Sequence, residues 1–242
     1  MELWLVDRDR LAGPLAGIEA HWHILPPDEL ARAAAMSTAT DAMRWRRGRI
    51  ALRLILAARS GPDTARSSFA LMSGGRPALP AGTLDFSLSD TGSMLLIGLS
   101  CAGRIGVDIE VPRTLEMSPK RIARLIAAAD GLAGTSDNAV HSTSPLQAWT
   151  RIEAFAKATA PSLASCLSAL GTAGHAGHPS SLEELRARAE DVRNQAGILV
   201  RDLTLADGLR GAVAVPSAVE HVPAVRQLDE ADLRAFADQA SR

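Results

Sequence analysis

The chain has 242 residues, 47% of them hydrophobic and 22% charged, with a formal net charge of −1. Such a length and balance suit a globular chain with a sizeable core and exclude a disordered one. A charge so close to zero excludes a global attraction to nucleic acid or to an anionic membrane surface.

Glu2-Leu3-Trp4-Leu5-Val6 reads as an opening strand. Pro27-Asp28-Glu29-Leu30 starts a helix, with proline and acids in its first turn, that Ala31 to Met36 continue. The strongest helix signal runs from Thr40 to Ala58. Met43, Ile50, Leu54 and Ala57 mark an apolar face there, and Arg44, Arg46, Arg47, Arg49 and Arg53 crowd the remainder as a store of cations. Gly61-Pro62-Asp63 ends it. A short strand at Phe69 to Met72 precedes the turn Ser73-Gly74-Gly75-Arg76-Pro77, and Leu84–Ser89 and Met94–Ser100 flank a hairpin turn at Asp90-Thr91-Gly92-Ser93. Ser118 caps a helix that runs on through Pro119 to Ala129. Residues 130–145 read as loop, as do 159–180, which are rich in Ser, Ala, Gly and Pro. Ser181-x-x-Glu184 is a capping box for a helix to Arg193. Gly197–Val200 and Gly211–Val215 read as late strands, and an amphipathic helix closes the chain around Asp229 to Ala240.

This order predicts an α+β fold: a pseudo-twofold pair of similar halves, each a small antiparallel sheet packed with helices, with a ligand cleft between them. The expected divisions are an N-terminal half at 1–102, a C-terminal half at 103–216 and a tail at 217–242. Cys101 and Cys166 read as two buried thiols in a reducing compartment. The acidic start Met1-Glu2-Leu3 lacks a signal-peptide pattern and no stretch reaches ~18 uninterrupted apolar residues, so a cytoplasmic location with no membrane partner is expected. His21-Trp22-His23, on an extended segment, offers two imidazoles on one side as a metal pair but lacks a third ligand nearby and is read as a surface or core-edge segment. His175 and His178 are read as part of a disordered Gly-rich surface loop rather than a partner contact.

Two segments carry chemistry. Gly106-Val107-Asp108-Ile109-Glu110 alternates with the period of a strand, so Asp108 and Glu110 share one face. Trp149-Thr150-Arg151-Ile152-Glu153-Ala154-Phe155-Ala156-Lys157 has the period of a helix, with Trp149, Glu153 and Lys157 in line. Alone, the first is a solvated strand end and the second a surface ion pair. If they pack together, three carboxylates and one ammonium converge, a hard-oxygen set that suits magnesium beside a phosphate ester.

In sequence order these segments follow Glu29-x-x-Arg32, Arg44 with the run Gly48 to Leu56 containing Leu52-Arg53, Gly75-Arg76-Pro77, and Phe86-Ser87-Leu88-Ser89. The ordered set resembles the phosphopantetheinyl transferase superfamily, in its two-half surfactin-synthetase-activator type. The resemblance implies a magnesium-dependent enzyme that moves the phosphopantetheine arm of coenzyme A onto a serine of an acyl or peptidyl carrier protein, releasing adenosine 3′,5′-bisphosphate. It places Asp108, Glu110 and Glu153 as magnesium ligands, Glu153 also as the base for the serine hydroxyl, and Lys157 on the pyrophosphate. Arg32, Arg44, Arg76 and Ser89 fall where the family holds the nucleotide and its 3′-phosphate, and Asp90 falls in the same binding segment. A monomer with an internal pseudo-dimer follows, with no nucleic-acid partner. An acidic carrier would dock at a basic or apolar groove near Phe155 and residues 111–130.

Two positions depart from the family pattern. Asp90 stands where the family has a phosphate-binding His, and a carboxylate cannot donate to a phosphate. Ile152 stands where a Lys precedes the helix glutamate, with Arg151 as a neighbouring substitute. Ala158-Thr159-Ala160-Pro161 replaces the small-residue pattern after the lysine. The alternatives are a transferase-like module that binds coenzyme A or a carrier but catalyses poorly, and an unrelated metal-dependent phosphate-ester enzyme.

Overall fold

The structure, a computed structural model, describes residues 1–72, 75–79, 84–134, 143–159, 162–172 and 179–240. The first elements are β1 (Glu2–Asp7), α1 (Ala12–Trp22), α2 (Pro27–Ala34), α3 (Ala39–Ser60), α4 (Asp63–Arg66), β2 (Ala70–Leu71), β3 (Pro77–Ala78), β4 (Asp85–Thr91) and β5 (Met94–Ser100). There follow β6 (Gly106–Glu110), α5 (Pro119–Ala133), α6 (Pro145–Thr159), α7 (Leu163–Leu170), α8 (Leu182–Ala196), β7 (Ile198–Asp202), β8 (Arg210–Pro216), β9 (Arg226–Gln227) and α9 (Glu230–Ala240). Helices with small, mostly antiparallel sheets make this an α+β fold, as the sequence predicts. Among the described residues no helix is long and apolar enough to cross a membrane. Two compact units emerge: Trp4–Leu84 with Gly92–Ile97 and Arg226–Arg242, and Met1–Leu3 with Asp85–Thr91 and Gly98–Val225.

In the first unit α3 runs through the core. Thr38 caps it, accepting from Asp41 N at 3.0 Å, and every residue from Gly48 to Ala57 is buried. The helix is therefore enclosed on all sides over that stretch, whereas Met43, assigned to its apolar face from sequence, is 48% exposed. β9 pairs with β1 in parallel, Trp4 opposite Arg226, and Phe236 of α9 meets the Trp4 ring edge-on at 5.6 Å. His21-Trp22-His23 is not extended. His21 and Trp22 end α1, and His23 closes it in the left-handed region at φ 47°.

The second unit holds an antiparallel sheet ordered β6-β8-β7, with Asp108 opposite Ala212 and Glu110 opposite Arg210. Helices α5, α6 and α8 pack with it around Leu125, Leu132, Ile152, Phe155, Leu170 and Val200. Phe155 is 2% exposed, so it belongs to this core and does not line a docking groove. The stretch 159–180 is not wholly irregular. Ser162 caps α7 by accepting from Ser165 N at 3.1 Å, Cys166 and Leu170 bury one side of it, and Gly171 ends it. The low helix propensity of Ser and Cys hides this turn-rich helix in the sequence. Burial pushes the Cys166 thiol up to about 12, but Cys101 is exposed, against the expectation of two buried thiols. His175 and His178 lie outside the described residues.

Two contacts place β6. At Gly106 the strand lies against α6 backbone to backbone: a Cβ there would stand 2.7 Å from Ala158 N and closer still to Ala154 O. Its other edge meets β4 through side chains. Asp85 Oδ2, Ser87 Oγ, Ser89 Oγ and Thr91 Oγ1 accept from the backbone N–H groups of Ile105, Val107, Ile109 and Val111 at 2.9, 3.1, 3.3 and 3.3 Å. The constant offset of 20 residues makes the two segments run parallel. Polar side chains at every second position of β4 thus cap the edge amides that a neighbouring strand would otherwise pair.

Because the neighbours of Gly106 are backbone atoms that cannot rotate away, Gly106→Ala should lower the unfolding free energy by about 3 kcal/mol. Urea denaturation of the variant checks this, and an unchanged midpoint would show that α6 and β6 can separate without cost.

Candidate active site

Asp108 and Glu110 reach the site from β6, and Glu153 and Lys157 from one face of α6, where a spacing of four aligns them. Asp108 is 2% exposed. Its Oδ1 accepts from Lys157 Nζ at 2.7 Å and from Ser89 Oγ at 2.7 Å. With the neighbouring carboxyl ionised, Asp108 Oδ2 is buried and has no hydrogen-bond partner. Lys157 Nζ also lies 4.0 Å from Glu153 Oε2, the outer limit of an ion pair. Burial pushes Glu153 up to about 7, aided by the Asp108 charge, by a hydrogen bond that only protonated Glu153 can give Asp108, and by Glu110, while Lys157 opposes the rise. A buried carboxyl and a half-buried one with a single ammonium are short of positive charge.

Glu110 takes a different partner. Arg113, just past β6, donates to it from Nη2 at 2.6 Å and from Nε at 3.2 Å. The Arg113 side chain is 44% exposed, and pairs in such settings contribute only about 0.2–1 kcal/mol. Among the described residues no group of three or more His, Cys, Asp or Glu stands ready to hold a metal ion. Asp108 and Glu110 each meet a cation instead, Lys157 and Arg113. The donor set nonetheless fits a hard divalent cation: a buried carboxylate oxygen without a hydrogen-bond partner belongs to the same cluster as a carboxyl whose charged form burial disfavours. Glu110 can join only by giving up its two-point contact with Arg113.

The two positions around Glu153 are otherwise committed. Ile152 is fully buried in the core. Arg151 is not a substitute cation for it. It donates to Asp202 from Nε and Nη2, both at 2.8 Å, and to Asp130 from Nη1 at 3.0 Å.

In the other unit, Glu29 of the Glu29-x-x-Arg32 pair is 4% exposed and accepts from the fully buried Arg53 Nε at 2.7 Å. Arg49 Nε lies 3.3 Å from the same carboxylate. This is an internal ion cluster tying α2 to α3, so Arg49 and Arg53 are not part of a solvated basic face. Burial, with Arg32 and Arg53 nearby, draws the Arg49 pKa down, against the pull of Glu29. The Arg32 guanidinium lies 5.5 Å from the Trp45 ring centre. Arg44 pairs with Asp9, Nη2 to Oδ2 at 2.7 Å, and Arg47 shares that carboxylate at 3.0 Å. Arg76 is half-buried beside β3, its carbonyl accepting from Met72 N at 2.9 Å. Asp90 is exposed on β4, and strand alternation sets it on the face opposite Ser89 and Thr91.

No family model matches the chain. A curated protein of Synechocystis sp., named "Putative 4'-phosphopantetheinyl transferase", is 30% identical to it over 166 residues. The superfamily resemblance is borne out. The match covers 65% of this chain, which spans about 64% of that phosphopantetheinyl transferase-like relative. Two functional features escaped the sequence reading of the resemblance. One is Arg113 as the clamp on Glu110, for which the sequence offers only a three-residue spacing. The other is the β4 ladder, whose signal is the polar alternation at 85, 87, 89 and 91.

The raised Glu153 value has a consequence for the metal-free protein. Between about pH 4.5 and about 7 the folded chain holds a proton that the unfolded chain has released. Stability therefore falls as pH rises through that window, by at most about 3 kcal/mol. Glu153→Gln should flatten this part of the urea-midpoint profile. An identical slope in the variant would mean that Glu153 titrates normally.

Proposed function

We propose that the chain is a magnesium-dependent 4′-phosphopantetheinyl transferase of the two-half type, acting on coenzyme A and an acyl or peptidyl carrier protein. The observation that carries the reading is the cluster of Asp108, Glu153 and Lys157 at the β6–α6 junction, on the residues that the superfamily resemblance selects. The Synechocystis relative supports the same activity by its name.

A serine hydroxyl is a weak nucleophile at neutral pH and needs a base within reach. Glu153, on α6 beside Lys157, is the carboxylate that accepts the hydroxyl proton. The serine oxygen then bonds to the β-phosphorus of coenzyme A. The bridging P–O bond breaks, and the electron pair leaves on adenosine 3′,5′-bisphosphate. Lys157 offsets charge on the departing oxygens, and does so most effectively in a partly buried site. Asp108 and Glu153, joined by Glu110, would hold the magnesium ion, which supplies further neutralisation of the phosphate oxygens when bound. Arg32, Arg44 and Arg76 serve the nucleotide. The exposed carboxylate of Asp90 reduces what that segment contributes to phosphate binding.

A second reading draws on specific contacts. Ile152 is in the core and Arg151 is bound to Asp130 and Asp202, so neither gives the site a cation. A coenzyme A or carrier-binding module with weak catalysis would share this arrangement.

Incubation with a fluorescent coenzyme A, magnesium and a panel of apo carrier proteins separates the two. The transferase labels at least one carrier, and Glu153→Gln slows labelling by about 10²–10⁴-fold. Retained coenzyme A binding with no carrier labelled would overturn the transferase reading in favour of the module.

A further inference from the structure

The resemblance assigns Ser89 to the nucleotide, but its hydroxyl already has fixed partners. Ser89 is 8% exposed, and its oxygen accepts from Ile109 N at 3.3 Å. Its single O–H lies 2.7 Å from Asp108 Oδ1, and a carboxylate can only accept. The proton therefore goes to Asp108 and is not available for a phosphate oxygen.

We infer that Ser89 is a positioning residue for the cation site: through one hydrogen bond it turns Asp108 so that Oδ1 is occupied and Oδ2 is presented. The inference rests on the magnesium reading of Asp108 and Glu153. Lys157 shares Oδ1 from α6, and Ser89 holds it from β4, so the carboxylate is gripped from two elements. Its Oδ2, without a hydrogen-bond partner when Glu153 is ionised, is the atom left for a metal. Outer partners of this kind set ligand orientation and basicity, and their loss weakens metal binding about 10–100-fold. β4 also contains a built-in control. Ser87 makes the same contact to the β6 backbone, accepting from Val107 N at 3.1 Å, two residues away from Ser89.

The test is a titration of the full chain with Mn²⁺, read by the electron paramagnetic resonance signal of the free ion, beside a calorimetric titration with coenzyme A without metal. Ser89→Ala should raise the Mn²⁺ dissociation constant about 10-fold or more and leave coenzyme A affinity within about twofold. Ser87→Ala should leave both unchanged although it removes an equivalent backbone contact, and Ser89→Thr, which keeps the hydroxyl, should restore Mn²⁺ binding. Weakened coenzyme A binding with unaltered Mn²⁺ affinity in Ser89→Ala would overturn the inference and return Ser89 to the nucleotide. Equal losses of Mn²⁺ affinity in the Ser87 and Ser89 alanine variants would reduce the effect to strand packing. If the unaltered chain binds no Mn²⁺, the magnesium reading itself fails and the inference with it.

Discussion

The candidate site depends on one close approach. β6 lies against α6 at Gly106 with no side chain between the two backbones, and that contact sets Asp108 and Glu110 against Glu153 and Lys157. Any larger residue at 106 would lever the strand off the helix. The displacement would be felt at Asp108, two residues on and on the same side of the pleat. From the far edge, β4 fixes the same strand through four side-chain acceptors at a constant offset. A backbone ladder would not have brought the Ser89 hydroxyl to the β6 main chain beside Asp108. Here one of the four acceptors, Ser89, has a proton to spare for a carboxylate.

Charge is distributed differently in the two units. Glu29 faces the guanidinium groups of Arg53 and Arg49 inside the protein, and removal of one partner of such a buried pair commonly costs about 3–5 kcal/mol. The Arg-rich helix is thus partly a structural device that joins α2 to α3. At the candidate site the balance is reversed. Asp108, Glu153 and Glu110 meet a partly exposed Lys157 and an exposed Arg113. A deficit of positive charge in a buried place is relieved either by protonation, seen in the raised Glu153 value, or by a cation.

Much of this was legible in the sequence because it follows local periods. Alternation over 106–110 gave a strand with both acids on one side, and the four-residue spacing gave the Glu153–Lys157 face. Ser118 and Ser181 were read as helix caps from their neighbours alone, and both cap their helices. Tertiary pairing was less accessible. Nothing local marks Arg113 for Glu110, or Asp130 and Asp202 for Arg151. Nor does period distinguish an arginine in solvent from Arg53 at full burial. The helix α7 is hard to read because it is only eight residues long, with two Ser and a Cys, and lies between stretches rich in Gly, Ser and Pro. The Ser89 role was hidden by the motif itself, since a resemblance assigns a residue by position and not by where its one proton goes.

The central claim is that the carboxyls of Asp108 and Glu153 form a cation site at the β6–α6 junction. Its most direct test is the anomalous difference density of crystals of the full chain grown with Mn²⁺. The account predicts a single strong peak bonded to Asp108 Oδ2 and to the Glu153 carboxylate. A peak held only by other residues, or none at saturating Mn²⁺ with the two carboxyls still sharing a proton, would contradict it.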